Sequence, residues 1–242
     1  MTSSSSSTPQ PASALRTSGA RLAGVVWDYA RAGPGTTAYL IVLLAGHVWT
    51  TSSARAPALL GWASTNVLNL GAHPWGALGV SALVVDGPLL PPDGGTIITL
   101  GLGVAVALWW VEARHGALRA AALFLGGHVG ATLLTAAVID LALHTGRYPA
   151  TVRGAVDVGI SYGAQASLAA LAVALPRLVR PAWILFLLVW PFADVAWYGW
   201  LPDFTTVGHL FSVAIGLSLA ALLLRRRSAP PHARPAARAR RR

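Results

Sequence analysis

Ser161 and His209 are the residues of this chain whose types and placement could break a covalent bond. A serine hydroxyl becomes a nucleophile when an imidazole takes its proton, and the pair can then attack a carbonyl carbon. Both sit in strongly apolar surroundings, at GISYG (159–163) and GHLFS (208–212). Asp157 lies four residues before Ser161 and Gln165 four after it, so a helix would carry all three on one polar stripe. His128, Asp140 and Asp194 are further ionisable residues within apolar runs. An ionisable side chain in a membrane helix costs roughly 2.5–3.5 kcal/mol, so each needs a reason. His128, flanked by Gly126, Gly127 and Gly130, reads as a hydrogen bond across a tight helix crossing. Asp194, among Trp190, Trp197, Tyr198 and Trp200, reads as a side chain snorkelling to an aromatic interface. A membrane serine ordinarily bonds a backbone carbonyl or packs a neighbour, so Ser161 has a plain reading beside the catalytic one.

The elements that must position these residues are apolar helices. Of 242 residues 55% are hydrophobic and 11% charged, against roughly 45–50% and 25% in a soluble domain. A water-soluble enzyme and a disordered chain are both excluded. With zero cysteines there are no disulfides, thiolate metal sites or cysteine nucleophiles. No metal site or cofactor is expected. Apolar runs occur at about 37–49, 96–111, 117–143, 156–175, 182–198 and 205–224, bounded by Arg, Pro or Gly. The reading is an all-α polytopic membrane protein with six transmembrane helices. Between the first two runs, residues 55–93 mix Trp62, Asn66, Asn69, His73, Pro74 and Trp75 with a short apolar piece, which suits a re-entrant, partly embedded loop. Residues 1–35 are expected as a disordered tail, 36–224 as the membrane domain, and 225–242 as an Arg-rich tail.

The net charge of +10 comes from 18 basic residues, all Arg, of which eight lie at 225–242. A Pro/Ala/Arg tail directly after an apolar helix reads as an anchor to anionic lipid rather than a nucleic-acid arm. With the N-terminus in the cytoplasm, fifteen arginines fall inside and only Arg55, Arg147 and Arg153 outside. Arginine bias therefore predicts a multi-pass cell-membrane protein with both termini cytoplasmic. In that orientation the fourth and sixth helices enter from the outer side. Ser161 and His209 then share a layer roughly 6–8 Å below the outer boundary.

Small residues recur every fourth position, as Gly159, Gly163 and Ser167 and as Gly208, Ser212 and Gly216. Such ridges let membrane helices approach closely. Ser161 is about 160° around its helix from Gly159 and Gly163, so that ridge and Ser161 cannot face one partner together, and the fourth helix is expected to be central.

The chain resembles the rhomboid family of intramembrane serine proteases. Gly208-His209-Leu-Phe-Ser212-Val-Ala-Ile-Gly216-Leu is similar to that family's last-helix pattern G/A-H-x-x-G-x-x-x-G-L. Gly159-Ile-Ser161-Tyr162-Gly163 is similar to its nucleophile motif G-x-S-G, with Tyr162 inserted where Gly is usual. Trp109-Trp110-Val-Glu112 resembles the end of its second helix, and residues from His73 stand where its embedded first loop lies. The resemblance implies a six-helix bundle, Ser161 as nucleophile and His209 as base. Gly159, Tyr162 and Asp157 are candidate supports for the oxyanion. The substrates or partners implied are transmembrane segments of other membrane proteins. The family's His and Asn on the second helix, which help bind the oxyanion, have no counterpart at 96–100. Three readings stand: an endopeptidase cutting membrane segments near the outer face, an inactive rhomboid-like protein binding membrane clients, and a small transporter using Asp140, Asp157, Asp194, His128 and His209.

Overall fold

The computed structural model describes residues 11–224, and they are almost entirely helical. The first helix, α1, spans Pro11–Ala32, in the stretch where the sequence suggested only a disordered tail. Residues 1–10 and the Arg-rich tail 225–242 lie outside the described residues. Helix α2 (Pro34–Ser52) corresponds to the first apolar run. Three short helices follow: α3 (Ala56–Ala63), α4 (Val67–Ala72) and α5 (Pro74–Ser81). At eight residues or fewer, none reaches half of the roughly 20 needed for a span. The loop at 55–93 is thus built of short helices, of which α3 and α5 pack against each other.

Three helices are long and apolar enough to cross a membrane: α6 (Gly94–His115), α7 (Ala117–His144) and α10 (Phe204–Leu223). The central part of α6, Ile97–Leu108, is wound as a π-helix. Between α7 and α10 lie α8 (Ser161–Leu171) and α9 (Arg180–Val189), the latter running into a single 3₁₀ turn at Trp190–Phe192. The fourth and fifth runs thus form much shorter helices than their apolar lengths suggested. Residues 156–160 are non-helical loop with a bend at Gly159, and Trp197–Tyr198 (β1) pairs with Leu201–Pro202 (β2) in a small hairpin. At 1.5 Å per residue the eleven residues of α8 cover roughly 16 Å, about half of a bilayer core.

Helix α8 is the axis of the fold. Every residue from Ser161 to Ala170 is buried, because α6, α7, α9 and α10 surround it. Its faces are divided among the neighbours by small residues. A Cβ on Gly103 of α6 would stand 2.7 Å from that of Ala164. Gly163 lies under the Phe124 ring of α7, where a Cβ would meet Cζ at 2.6 Å. On α10, a side chain at Gly216 would run into the Ala166 backbone, and one at Gly208 into the Tyr162 ring. The ridge at 208, 212 and 216 therefore faces α8, whereas Gly163 faces α7, and α8 touches partners on opposite sides.

Polar groups are matched across these joints. Glu112, buried on α6, accepts from the Gly35 and Thr36 amides at 2.8 and 2.6 Å and from the Thr36 hydroxyl at 2.6 Å. Amides of the first helical turn have no intrahelical acceptor, so this carboxylate serves as the cap that α2 lacks locally. Pro191 has no N–H, which leaves the Leu187 carbonyl free within the helix. The Gln165 amide of α8 donates to that carbonyl at 3.0 Å, and Trp190 Nε1 donates to Gln165 Oε1 at 3.0 Å. His128 Nε2 of α7 lies 3.0 Å from Ser81 Oγ and 3.2 Å from the Leu78 carbonyl, tying α5 to the bundle. Gly126 and Gly130 meanwhile abut Leu219 and Ile215 of α10. His128 is therefore a crossing-point hydrogen bond, as its glycine flanks suggested.

Candidate active site

Ser161 is the first residue of α8, not one about five residues into its helix as the apolar run implied. The chain reaches it through Gly159, whose φ of +137° is a conformation that suits glycine. Glycine is also required sterically, because a Cβ there would lie 2.6 Å from an Asp86 carboxylate oxygen. Ile160 donates its amide to the Val84 carbonyl at 3.0 Å, which fixes this approach to the embedded loop. Ile160, the residue before α8, gives it no side-chain cap. The first-turn amides of Ser161, Tyr162 and Gly163 have no acceptor among the described residues. Such amides form a local positive site.

His209 lies on the second turn of α10, which starts at an Asp203 cap: Asp203 Oδ1 accepts from the Thr206 amide at 2.9 Å. Its Nδ1 lies 2.9 Å from the Thr205 carbonyl, an oxygen that only accepts, so Nδ1 carries the proton. In the neutral ring Nε2 is then the acceptor nitrogen, and it is buried with no partner among the described residues. Trp190 and Tyr162 hold the ring edge-on, with centroids 5.1 and 5.3 Å away.

No hydrogen bond joins Ser161 to His209 among the described residues. Tyr162 is the residue of the GISYG motif that meets the histidine ring, and its hydroxyl donates to Asp157 Oδ2 at 3.3 Å. Asp157 Oδ2 also accepts from Thr65 Oγ1 at 3.0 Å, and the Asp157 backbone pairs with Ser64 and Thr65. Burial raises the Asp157 carboxyl above its usual range, opposed by the hydrogen bonds from Thr65 and Tyr162. This carboxylate therefore anchors the loop before α8 to the segment between α3 and α4. Ser212 donates to the Gly208 carbonyl at 3.0 Å, acting as a small packing residue.

The remaining intramembrane candidates do not gather here. Asp140 is half exposed beside His144 at the end of α7, and Asp194 is exposed in the turn after α9. No cluster of three or more potential metal ligands occurs among the described residues. Sequence reasoning overlooked Thr65, Ser81 and Trp190. Thr65 and Ser81 stand in the short-helix loop, far in sequence from Asp157 and His128, and nothing local marks those pairings. Trp190 was read only as part of an aromatic belt.

Comparison with curated proteins and with solved structures returns no match. A family model described as rhomboid-like protein matches residues 28–229, which takes in α2 to α10, the GISYG turn and the His209 helix. The chain belongs to the rhomboid-like protein family.

Proposed function

We propose that this protein is an intramembrane serine endopeptidase, with Ser161 as nucleophile and His209 as general base. In this reading α2, α8 and α9 complete six crossings with α6, α7 and α10, and both termini face the cytoplasm. The observation that carries it is the state of His209: Nδ1 is committed to the Thr205 carbonyl, and the buried Nε2 has no partner among the described residues. That is the tautomer a base needs, since Nε2 can take the Ser161 proton as the hydroxyl attacks a peptide carbonyl. Closing the Ser161–His209 hydrogen bond is a step of substrate engagement, as catalytic hydrogen bonds commonly tighten only in the complex.

The oxyanion formed in that attack needs donors. The uncapped amides of Ser161 and Tyr162 at the start of α8 supply them in place of the family's His and Asn. The imidazolium then protonates the leaving amine. A water molecule, deprotonated by the same Nε2, releases the acyl group from Ser161. The substrate is a transmembrane segment of another membrane protein, cut near the outer face.

A second reading, a rhomboid-like protein that binds membrane clients without cutting them, is favoured by Tyr162. It stands where the motif usually has glycine, and its ring packs edge-on against His209, to which Ser161 makes no hydrogen bond among the described residues. Labelling of detergent-solubilised protein with a fluorophosphonate probe separates the two. Labelling of the wild type that is lost in both Ser161→Ala and His209→Ala supports the endopeptidase. A folded wild type that takes no label points to the client binder.

A further inference from the structure

Helix α1 is exposed from Ala20 to Asp28. Among its described side chains, those at the C-terminal end anchor it. The Tyr29 ring stacks on Trp109 of α6 at 4.9 Å and 6°, and Trp109 Nε1 donates to the Tyr29 carbonyl at 2.9 Å. The Tyr29 hydroxyl donates to the Ala105 carbonyl at 2.7 Å, one turn further from the Glu112 end of α6. The face of α1 that bears Tyr29 is thereby aimed along α6 toward the middle of the bundle. Leu22, Val25 and Val26 precede Tyr29 by seven, four and three residues and so share that face. They are 66%, 66% and 58% exposed. Arg31 projects from the opposite side, where it stacks on Trp27, and Arg21 and Asp28 border the apolar face beside Val25. Gly33 leaves helical backbone at φ −138° and ψ 69°, so α1 is not a simple extension of α2.

We propose that α1 lies in the membrane interface, with Leu22, Val25 and Val26 in the acyl-chain boundary of an anionic leaflet and Arg21 and Arg31 at its phosphates. Three observations carry this. The apolar face is the one that carries Tyr29, whose hydroxyl is held by Ala105 within the apolar span of α6. It continues an existing joint to a membrane-spanning helix. Arg31, stacked on Trp27, faces the opposite side and Arg21 borders the apolar face, so both can reach anionic headgroups.

The chain has no cysteine, so single cysteines can be introduced into the full-length protein without background. Spin labels go at Leu22→Cys, Val25→Cys and Val26→Cys, and on the other arc at Ala20→Cys, Gly24→Cys and Asp28→Cys. The protein is reconstituted in vesicles of mixed phosphatidylglycerol and phosphatidylcholine. Collision with oxygen, which partitions into lipid, is compared with collision with a water-soluble nickel chelate. The first three sites should favour oxygen several-fold over the other three, and the contrast should shrink in pure phosphatidylcholine or when Arg21 and Arg31 are replaced by Gln. Equal nickel access at all six sites would overturn the proposal by placing α1 in water. Spin–spin broadening at 22, 25 and 26 would overturn it by assigning the face to a second copy of the chain.

Discussion

Ser161, His209 and Asp157 have different jobs although the sequence presents them as one polar group. His209 is held by a backbone carbonyl with its second nitrogen free, a poised state. Asp157 is engaged by Thr65 and Tyr162, a structural state. Because burial raises its carboxyl pKa in the fold, the protonated form is the better-tolerated one. Its stabilising contribution is complete at low pH and is lost as pH climbs through the ordinary carboxylate range into the raised one. Asp157→Asn keeps an oxygen to accept from Thr65 but has no charge to desolvate. The variant should therefore melt higher than wild type at neutral pH, with the gap closing on acidification, as measured by thermal unfolding in detergent from pH 4 to pH 8. An unchanging gap across that range would show that charge burial is not what Asp157 costs. That these are polar groups in apolar surroundings was legible from their types. Their division of labour was not, because it depends on Thr65, 92 positions away from Asp157.

Among the elements, α8 governs the geometry and α10 sets how close it can be approached. Gly216 leaves no room for a side chain against the Ala166 backbone. Gly216→Leu should force α10 outward, lower thermal stability by about 1–3 kcal/mol through overpacking, and abolish any fluorophosphonate labelling by parting His209 from Ser161. Retained labelling at full strength would show that the α8–α10 spacing does not control the site. The four-residue spacing of Gly208, Ser212 and Gly216 made this joint legible in the sequence, since close approach is a matter of local side-chain size. Helix lengths were not legible in the same way. The run at 156–175 is mostly apolar, yet its helix is Ser161–Leu171, since Asp157, tied to Ser64 and Thr65, and the positive φ of Gly159 keep the preceding chain out of the helix. Apolar composition reports burial, and a segment enclosed by protein on all sides is as apolar as one that crosses lipid. The helix at Pro11–Ala32 was missed for the opposite reason, as the Ser/Thr/Pro-rich start of the chain hides an amphipathic stretch at 20–32.

At the scale of the molecule, three long helices and a set of short ones are fastened by polar contacts between residues far apart in the chain. One such joint runs from Glu112 to Gly35 and Thr36, across 77 and 76 positions. Glu112→Ala would strand two amides and a hydroxyl, and hydrogen bonds to a charged acceptor are worth about 1.5–3 kcal/mol each. Hydrogen exchange should then rise sharply in the first turn of α2 while the amides of α10 stay protected. Uniform exchange across both helices would mean that the carboxylate supports the whole bundle and not one helix end. The same joint constrains biogenesis. A ribosome delivers α2 long before it delivers Glu112, so α2 is made with its leading amides uncapped. Its N-terminal end finds its final partner only when the end of α6 arrives, so that end is the last part of α2 to be set during synthesis.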